Sequence, residues 1–282
     1  MTSYLLRQAF RYDYSAPVTD LRHRLVVVPP EVHGDQTLVR HAVDVTGAPA
    51  ERWAARDRFG NHVIHVRAEV VEETIAFEAK VEVVRCASAA PAVVGRAAMS
   101  YPAYLRPSRL TVPSAAVLGA AAELTAVPGP ALELAERITG WVHARMRYDF
   151  DATTVHTTAA EALDLGAGVC QDYAHVMLAV SRACGLPARY VSGHLLGEGG
   201  SHAWVEVLVE DQGHADRALA VAFDPTHDRR AEDGYLTVAV GRDYVDVAPT
   251  AGTFESPVAT GRLSCRKRLD VADAADATAP RA

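Results

Sequence analysis

The chain has 282 residues, enough for one large domain or two modest ones with an ample core. Hydrophobic residues make up 49% and charged residues 22%, as in ordinary globular proteins, and the formal net charge of -7 speaks against a general nucleic-acid binder. No apolar run approaches about 18 residues, so no membrane span is expected, and the N-terminus shows no secretory-signal pattern.

The first 95 or so residues read as β. From Glu73 onward, Ile75, Phe77, Ala79, Val81 and Val83 alternate with Glu78, Lys80 and Glu82. Just before them, Ile64, Val66, Ala68 and Val70 alternate with His65, Arg67 and Glu69. A period of two marks half-buried antiparallel strands, here preceded by the turn-forming run Asp57 to Asn61. Earlier strands are expected over 24–28, ended by Pro29-Pro30, and over 38–45. Together they suggest a small sandwich. Residues 96–129 mix prolines with an alanine-rich stretch and read as a connecting segment.

Helical spacing of Leu134, Ile138, Trp141 and Val142 after Pro130 predicts a helix over 131–146. Thr158-Ala159-Ala160-Glu161 is a capping box that opens a short helix to Leu165. Gly166-Ala167-Gly168 then leads into a run from Val169 to Val180 that is apolar nearly all round, as a buried central helix requires. The run stops at Cys184-Gly185, with Pro187 beyond. Strands are expected over 188–196, 202–209 and 219–224. The alanine- and aspartate-rich tail after Asp270 has no periodicity and is expected to be disordered.

Cys86, Cys170, Cys184 and Cys265 show no paired spacing. Cys170 and Cys184 at opposite ends of one helix stand about 20 Å apart, too far for a disulfide. Reduced thiols fit a cytoplasmic protein.

Cys170 follows a Gly-x-Gly loop and opens a helix, where partial positive charge favours a thiolate and a free backbone N–H can bind an oxyanion. A free cysteine is more often a small buried hydrophobe, but its place before the helix body argues otherwise. His202 begins a strand in which Ala203, Val205 and Val207 face one side and His202, Trp204 and Glu206 the other, after the flexible Gly199-Gly200. Asp224 closes a strand before Pro225, where a carboxylate can fix the imidazole's tautomer; taken alone it would read as an Asp-Pro turn. Cys170, His175, His202 and His227 could be weighed as metal ligands, but no Cys-x2-Cys or His-x3-His pair exists. The glycine loops lack the Gly-Lys-Ser/Thr of a phosphate cradle. No metal and no cofactor are expected. Gln171, Asp172 and His175 are expected to support the helix, and Arg242-Asp243-Tyr244 is read either as cleft lining or as a structural turn.

Taken together these segments resemble the transglutaminase-like (papain-like cysteine-enzyme) superfamily. The matching pieces are Gly168 to His175, Gly185 to Gly193, Ser201 to Val207, Phe223-Asp224-Pro225-Thr226 and Val240 to Val247, in the family's order Cys, His, Asp. The N-terminal part also resembles the β-rich region that precedes this domain in many bacterial members, at Asp57–Asn61 and Tyr104–Ser108. The resemblance implies an α+β fold: an antiparallel β-sandwich-like domain (1–95), a connecting segment (96–129), and a papain-like/transglutaminase-like core (130–262). In that core the nucleophile stands at the N-terminus of a central helix packed on an antiparallel sheet, and a partly disordered tail (263–282) follows. It implies a catalytic triad of Cys170, His202 and Asp224 acting on amide bonds of a protein or peptide substrate, by hydrolysis or by acyl transfer to an amine. Calcium, used by animal transglutaminases, does not carry over, because the sequence has no acidic calcium loop. A non-catalytic binding scaffold on the same fold is the alternative.

Overall fold

The computed structural model describes residues 1–86 and 90–272. Seven strands come first: β1 (Thr2–Tyr14), β2 (Val18–Leu25), β3 (Val32–His33), β4 (Gln36–Thr46), β5 (Glu51–Arg56), β6 (His62–Val71) and β7 (Thr74–Arg85). β8 (Ala92–Gly95) and helices α1 (Pro102–Leu105), α2 (Ala115–Thr125) and α3 (Ala131–His143) follow. Next come β9 (Arg147–Tyr148), α4 (Ala159–Leu165), β10 (Ala167–Gly168) and the central helix α5 (Cys170–Ala183). The chain then runs through β11 (Ala188–Leu195), β12 (His202–Glu210), β13 (Arg217–Asp224), β14 (Arg229–Arg230), β15 (Tyr235–Gly241), α6 (Tyr244–Val247), β16 (Thr250–Glu255) and β17 (Gly261–Val271).

The sandwich is built from two sheets of order β17-β1-β7-β4-β3 and β16-β2-β6-β5. Its core holds Phe10, Leu21, Leu25, Val66, Ala68, Ile75, Phe77 and Ala79. The alternation in β7 therefore points inward as the sequence indicates. In β6 the pattern slips at its end: Val71 is buried and Val70 is exposed. The strand expected over 24–28 ends at Leu25, and Val26, Val27 and Val28 are buried outside any strand.

Both sheets are completed from the far end of the chain. β16 pairs with β2 and β17 pairs with β1 over eleven registered positions, Tyr4↔Val271 to Tyr14↔Gly261. The core boundary expected at 262 and the tail expected from 263 are thus corrected: residues 250–255 and 261–271 are sandwich strands. The rest of the tail, 273–282, lies outside the described residues. The segment expected only to connect is also part of the second layer. β8 pairs with β13, and α2 buries Val117, Ala120 and Ala121.

The sheet of the second layer has the order β14-β13-β12-β11-β15, with β8 also on β13. One face receives α5, in which every residue from Gln171 to Arg182 is buried. Ala203, Val205 and Val207 pack with Val176, Met177 and Val180 of the helix, each large aliphatic contributing about 1.5–3 kcal/mol by burial. The other face meets the sandwich, where Leu236 and Val238 pack on Tyr4, Leu6, Val81 and Val83.

The sandwich also covers the open edge of β15. Gln36 donates to the Thr237 carbonyl and accepts from its N–H, both at 2.9 Å. Asn61 does the same for Val240, at 2.7 and 2.9 Å. Two side-chain amides thus occupy backbone groups that an exposed edge would leave unpaired.

A buried ion pair ties the layers further: Arg189 Nε donates to Glu206 Oε2 at 2.7 Å, and His33 Nε2 lies 2.6 Å from Glu206 Oε1. Burial opposes the charge on Glu206, but Arg189 and His33 outweigh it and hold its carboxyl down at about 2.

Candidate active site

Cys170 is the first residue of α5, so its N–H has no carbonyl four residues back and lies in the positive field of the helix start. The turn before it is fixed by Asp172, whose Oδ2 accepts from the Val169 N–H at 2.8 Å and from Thr153 Oγ1 at 2.6 Å. A Cβ on Gly168 would collide with the Asp172 carboxylate, which explains a glycine there. The capping box of α4 forms, with the Thr158 side chain accepting from the Glu161 N–H, and Gly166 ends that helix in the left-handed region at φ 60.

β12 delivers His202 and β13 delivers Asp224, both buried. His202 Nε2 pairs with Asp224 Oδ2 at 2.7 Å, and Cys170 lies near enough to favour the charged ring. Burial alone would strip the proton from His202, but Asp224, Cys170 and Glu198 outweigh that penalty and push its pKa up to about 11. Burial likewise opposes ionisation of Asp224. Hydrogen bonds from His202, His227 and Tyr235 nevertheless hold its carboxyl well below the usual carboxylate range. The chemistry available is a proton-loaded imidazole between a carboxylate and a thiol at a helix N-terminus, the parts needed for nucleophilic attack on an acyl carbon.

The three residues singled out from sequence are therefore brought together. Four others around them were missed. Tyr235 Oη donates to Asp224 Oδ2 at 2.7 Å, and Arg229 Nε donates to Tyr235 Oη at 2.9 Å. His227 Nδ1 is 2.7 Å from the same Asp224 oxygen. Glu198, in the glycine-rich turn before β12, places a carboxylate 3.2 Å from His202 Nδ1. No local pattern distinguishes these residues from ordinary loop and strand residues. His202, Asp224 and His227 offer donor atoms within 4.8 Å of one another, a spacing that their own hydrogen bonds account for.

The residues expected to support the site do so. Gln171 Nε2 donates to the Val155 carbonyl at 3.2 Å, and His175 Nε2 accepts from the Tyr244 N–H at 3.2 Å. Between cleft lining and turn, Arg242 to Tyr244 take the turn: Asp243 caps α6 through the Val245 N–H, and Arg242 pairs with Asp246 at 2.8 Å. Tyr148 is near Cys170, and its ring centroid is 5.1 Å from that of Phe150. Phe150 is exposed, and burial pushes the Tyr148 hydroxyl up to about 12, with Cys170 and Glu198 adding to the rise. All four cysteines are free, and among the described residues no helix is long and apolar enough to cross a membrane.

Comparison with known proteins gives the same picture. Residues 119–216 match the model of the transglutaminase-like superfamily, and residues 4–84 match the bacterial transglutaminase-like N-terminal region. An uncharacterized protein of Mycobacterium bovis is 30% identical over 277 residues, covering 88% of this chain and 86% of its own. One of Mycobacterium leprae is 38% identical over 130 residues, covering 43% of this chain and 44% of its own, so the chain spans less than half of that relative. A solved structure from Cytophaga hutchinsonii, described as a candidate cysteine protease, shares the fold, with a TM-score of 0.76 at 20% identity over 96% of this chain and 91% of that one. The chain belongs to the transglutaminase-like superfamily and carries the N-terminal region of its bacterial branch.

Proposed function

We propose that the protein is a cysteine enzyme acting on amide or peptide bonds of a protein or peptide substrate through a thioester acyl-enzyme. The observation that carries this reading is His202, held by Asp224 through Nε2 at 2.7 Å and kept charged in part by Cys170, a cysteine that opens a helix. The Cys170 thiolate attacks the carbonyl carbon, and its own N–H helps hold the resulting oxyanion. His202 then gives its Nδ1 proton to the departing amine as the C–N bond breaks, which leaves the thioester. Water completes a hydrolysis; an amine completes a transfer. Hydrolysis is the reading taken here, in line with the description of the Cytophaga structure. Asp224 orients His202 throughout. The four free thiols support a cytoplasmic location.

The test is activity profiling against a library of peptides and glutamine donors, with and without an amine acceptor, comparing wild type with Cys170→Ala. Turnover that depends on Cys170 is expected. Turnover retained in Cys170→Ala would remove that residue from its role, and absence of turnover in both would favour the scaffold reading.

A further inference from the structure

One carboxylate at the site has no part in the triad. Glu198 lies in the turn between β11 and β12, flanked by Gly197 at φ +89 and by Gly199 and Gly200. Its Oε2 is 3.2 Å from His202 Nδ1 and its Oε1 is 3.5 Å from His227 Nε2. His227 Nδ1 reaches Asp224 Oδ2 at 2.7 Å, the oxygen that His202 Nε2 also reaches at 2.7 Å. The four side chains close a ring in which carboxylate and imidazole alternate. His202 and Asp224 form its buried half, and the Glu198 and His227 side chains, 38% and 36% exposed, form its solvent half.

Each imidazole in this ring has a carboxylate at both nitrogens, and at His202 this favours the charged form. The contact at Nδ1 has a particular geometry. Glu198 is within ion-pair range, yet among the described residues Nδ1 has no partner at hydrogen-bond geometry. Glu198 thus supports the charge on His202 without closing a hydrogen bond at Nδ1. The loop that carries it is anchored at its far end, where the Gly200 carbonyl lies 2.9 Å from His194 Nδ1.

We propose that Glu198 is a positioning residue for the reaction: through the ring it shares with His227 and Asp224, it holds His202 charged and in place while leaving its Nδ1 proton free for transfer. The inference rests on the reading of Cys170, His202 and Asp224 as a triad. Glu198 itself forms and breaks no covalent bond; the proton passes from His202 Nδ1 to the amine nitrogen. The charged and titratable groups that face His202 are Cys170 from α5, Asp224 and His227 around the end of β13, Tyr235 from β15, His194 from β11 and Glu198 itself.

The test follows the ring-nitrogen signals of His202 by NMR in full-length protein labelled with 15N-histidine, with the signal assigned through His202→Asn. Titrations run in a Cys170→Ala background, which removes the thiolate's own pull. With Glu198→Gln added, His202 is expected to lose its proton roughly one pH unit lower, as the loss of one opposite charge implies. Glu198→Asp should restore part of the shift. Superimposable titrations with and without Glu198 would overturn the proposal. So would faster alkylation of Cys170 at every pH in Glu198→Gln, which would mark Glu198 as a block over the thiol. Because the titration is made without Cys170, its failure is distinct from failure of the proposed nucleophile, which alkylation reads separately.

Discussion

Tyr235 Oη donates to Asp224 Oδ2 at 2.7 Å, the same oxygen that pairs with His202 Nε2. Because Arg229 in turn donates to Tyr235, the aspartate is held by a chain of donors behind the imidazole as well as by the imidazole itself. Tyr235→Phe removes one of these bonds and leaves Arg229 Nε without its acceptor. A net loss of about 0.5–1.5 kcal/mol per hydrogen bond predicts a drop in Cys170-dependent turnover of up to roughly tenfold. Initial rates of p-nitrophenyl acetate hydrolysis, corrected with Cys170→Ala, check this, and an unchanged rate would contradict it.

The Arg189–Glu206 pair predicts a specific loss of stability in acid. Its carboxyl titrates at about 2 in the folded chain, against about 4.3 in an unfolded one. A carboxyl depressed by folding stabilises the fold above the unfolded value, and that contribution disappears as pH falls from about 4.3 toward 2. Glu206→Gln should therefore lose stability at pH 7, by about 3–5 kcal/mol for a broken buried pair, and should lose less further stability than wild type on acidification. Urea midpoints at pH 7 and pH 3 for the two proteins test it. Parallel acid losses would contradict the assignment.

Gly193 sits where a Cβ would overlap the Leu236 carbonyl oxygen and the Trp204 ring. The β11–β15 pairing also shifts register between Ser192 and Gly193, so the backbone here is already irregular. Gly193→Ala is predicted to lower stability by about 1–3 kcal/mol, as overpacking does. It should also lower turnover, since Gly193 is paired with His202 across β11 and β12. Thermal denaturation read alongside activity checks both effects, and a melting temperature equal to wild type would contradict the packing account.

Much of this architecture is legible in the chain because it rests on local patterns. The alternation from Ile75 to Val83 gives β7, the largely apolar run after Gly168 gives α5, and Thr158 with Glu161 gives the start of α4. What stays hidden depends on residues far apart in sequence. The pairing of Tyr14 with Gly261 joins positions 247 apart, and nothing local in 261–271 says that its partner is the first strand. The same holds for His33, which meets Glu206 173 residues later. In the site, Cys170, His202 and Asp224 stand out by their place at element ends. Tyr235 reads as an ordinary strand residue and Glu198 as an ordinary turn residue until the fold brings the first to Asp224 and the second to His202.

If Cys170 is a nucleophile activated by His202, its own chain supplies the control, because Cys265 is exposed and free. The measurement is site-resolved alkylation with a limiting amount of iodoacetamide at mildly acidic pH, read by mass spectrometry of the four cysteine peptides. Cys170 is predicted to react at least about tenfold faster than Cys265, as thiolate character dictates, and to lose that advantage in His202→Ala. A Cys170 that reacts no faster than Cys265, or one whose rate is indifferent to His202, would contradict the account.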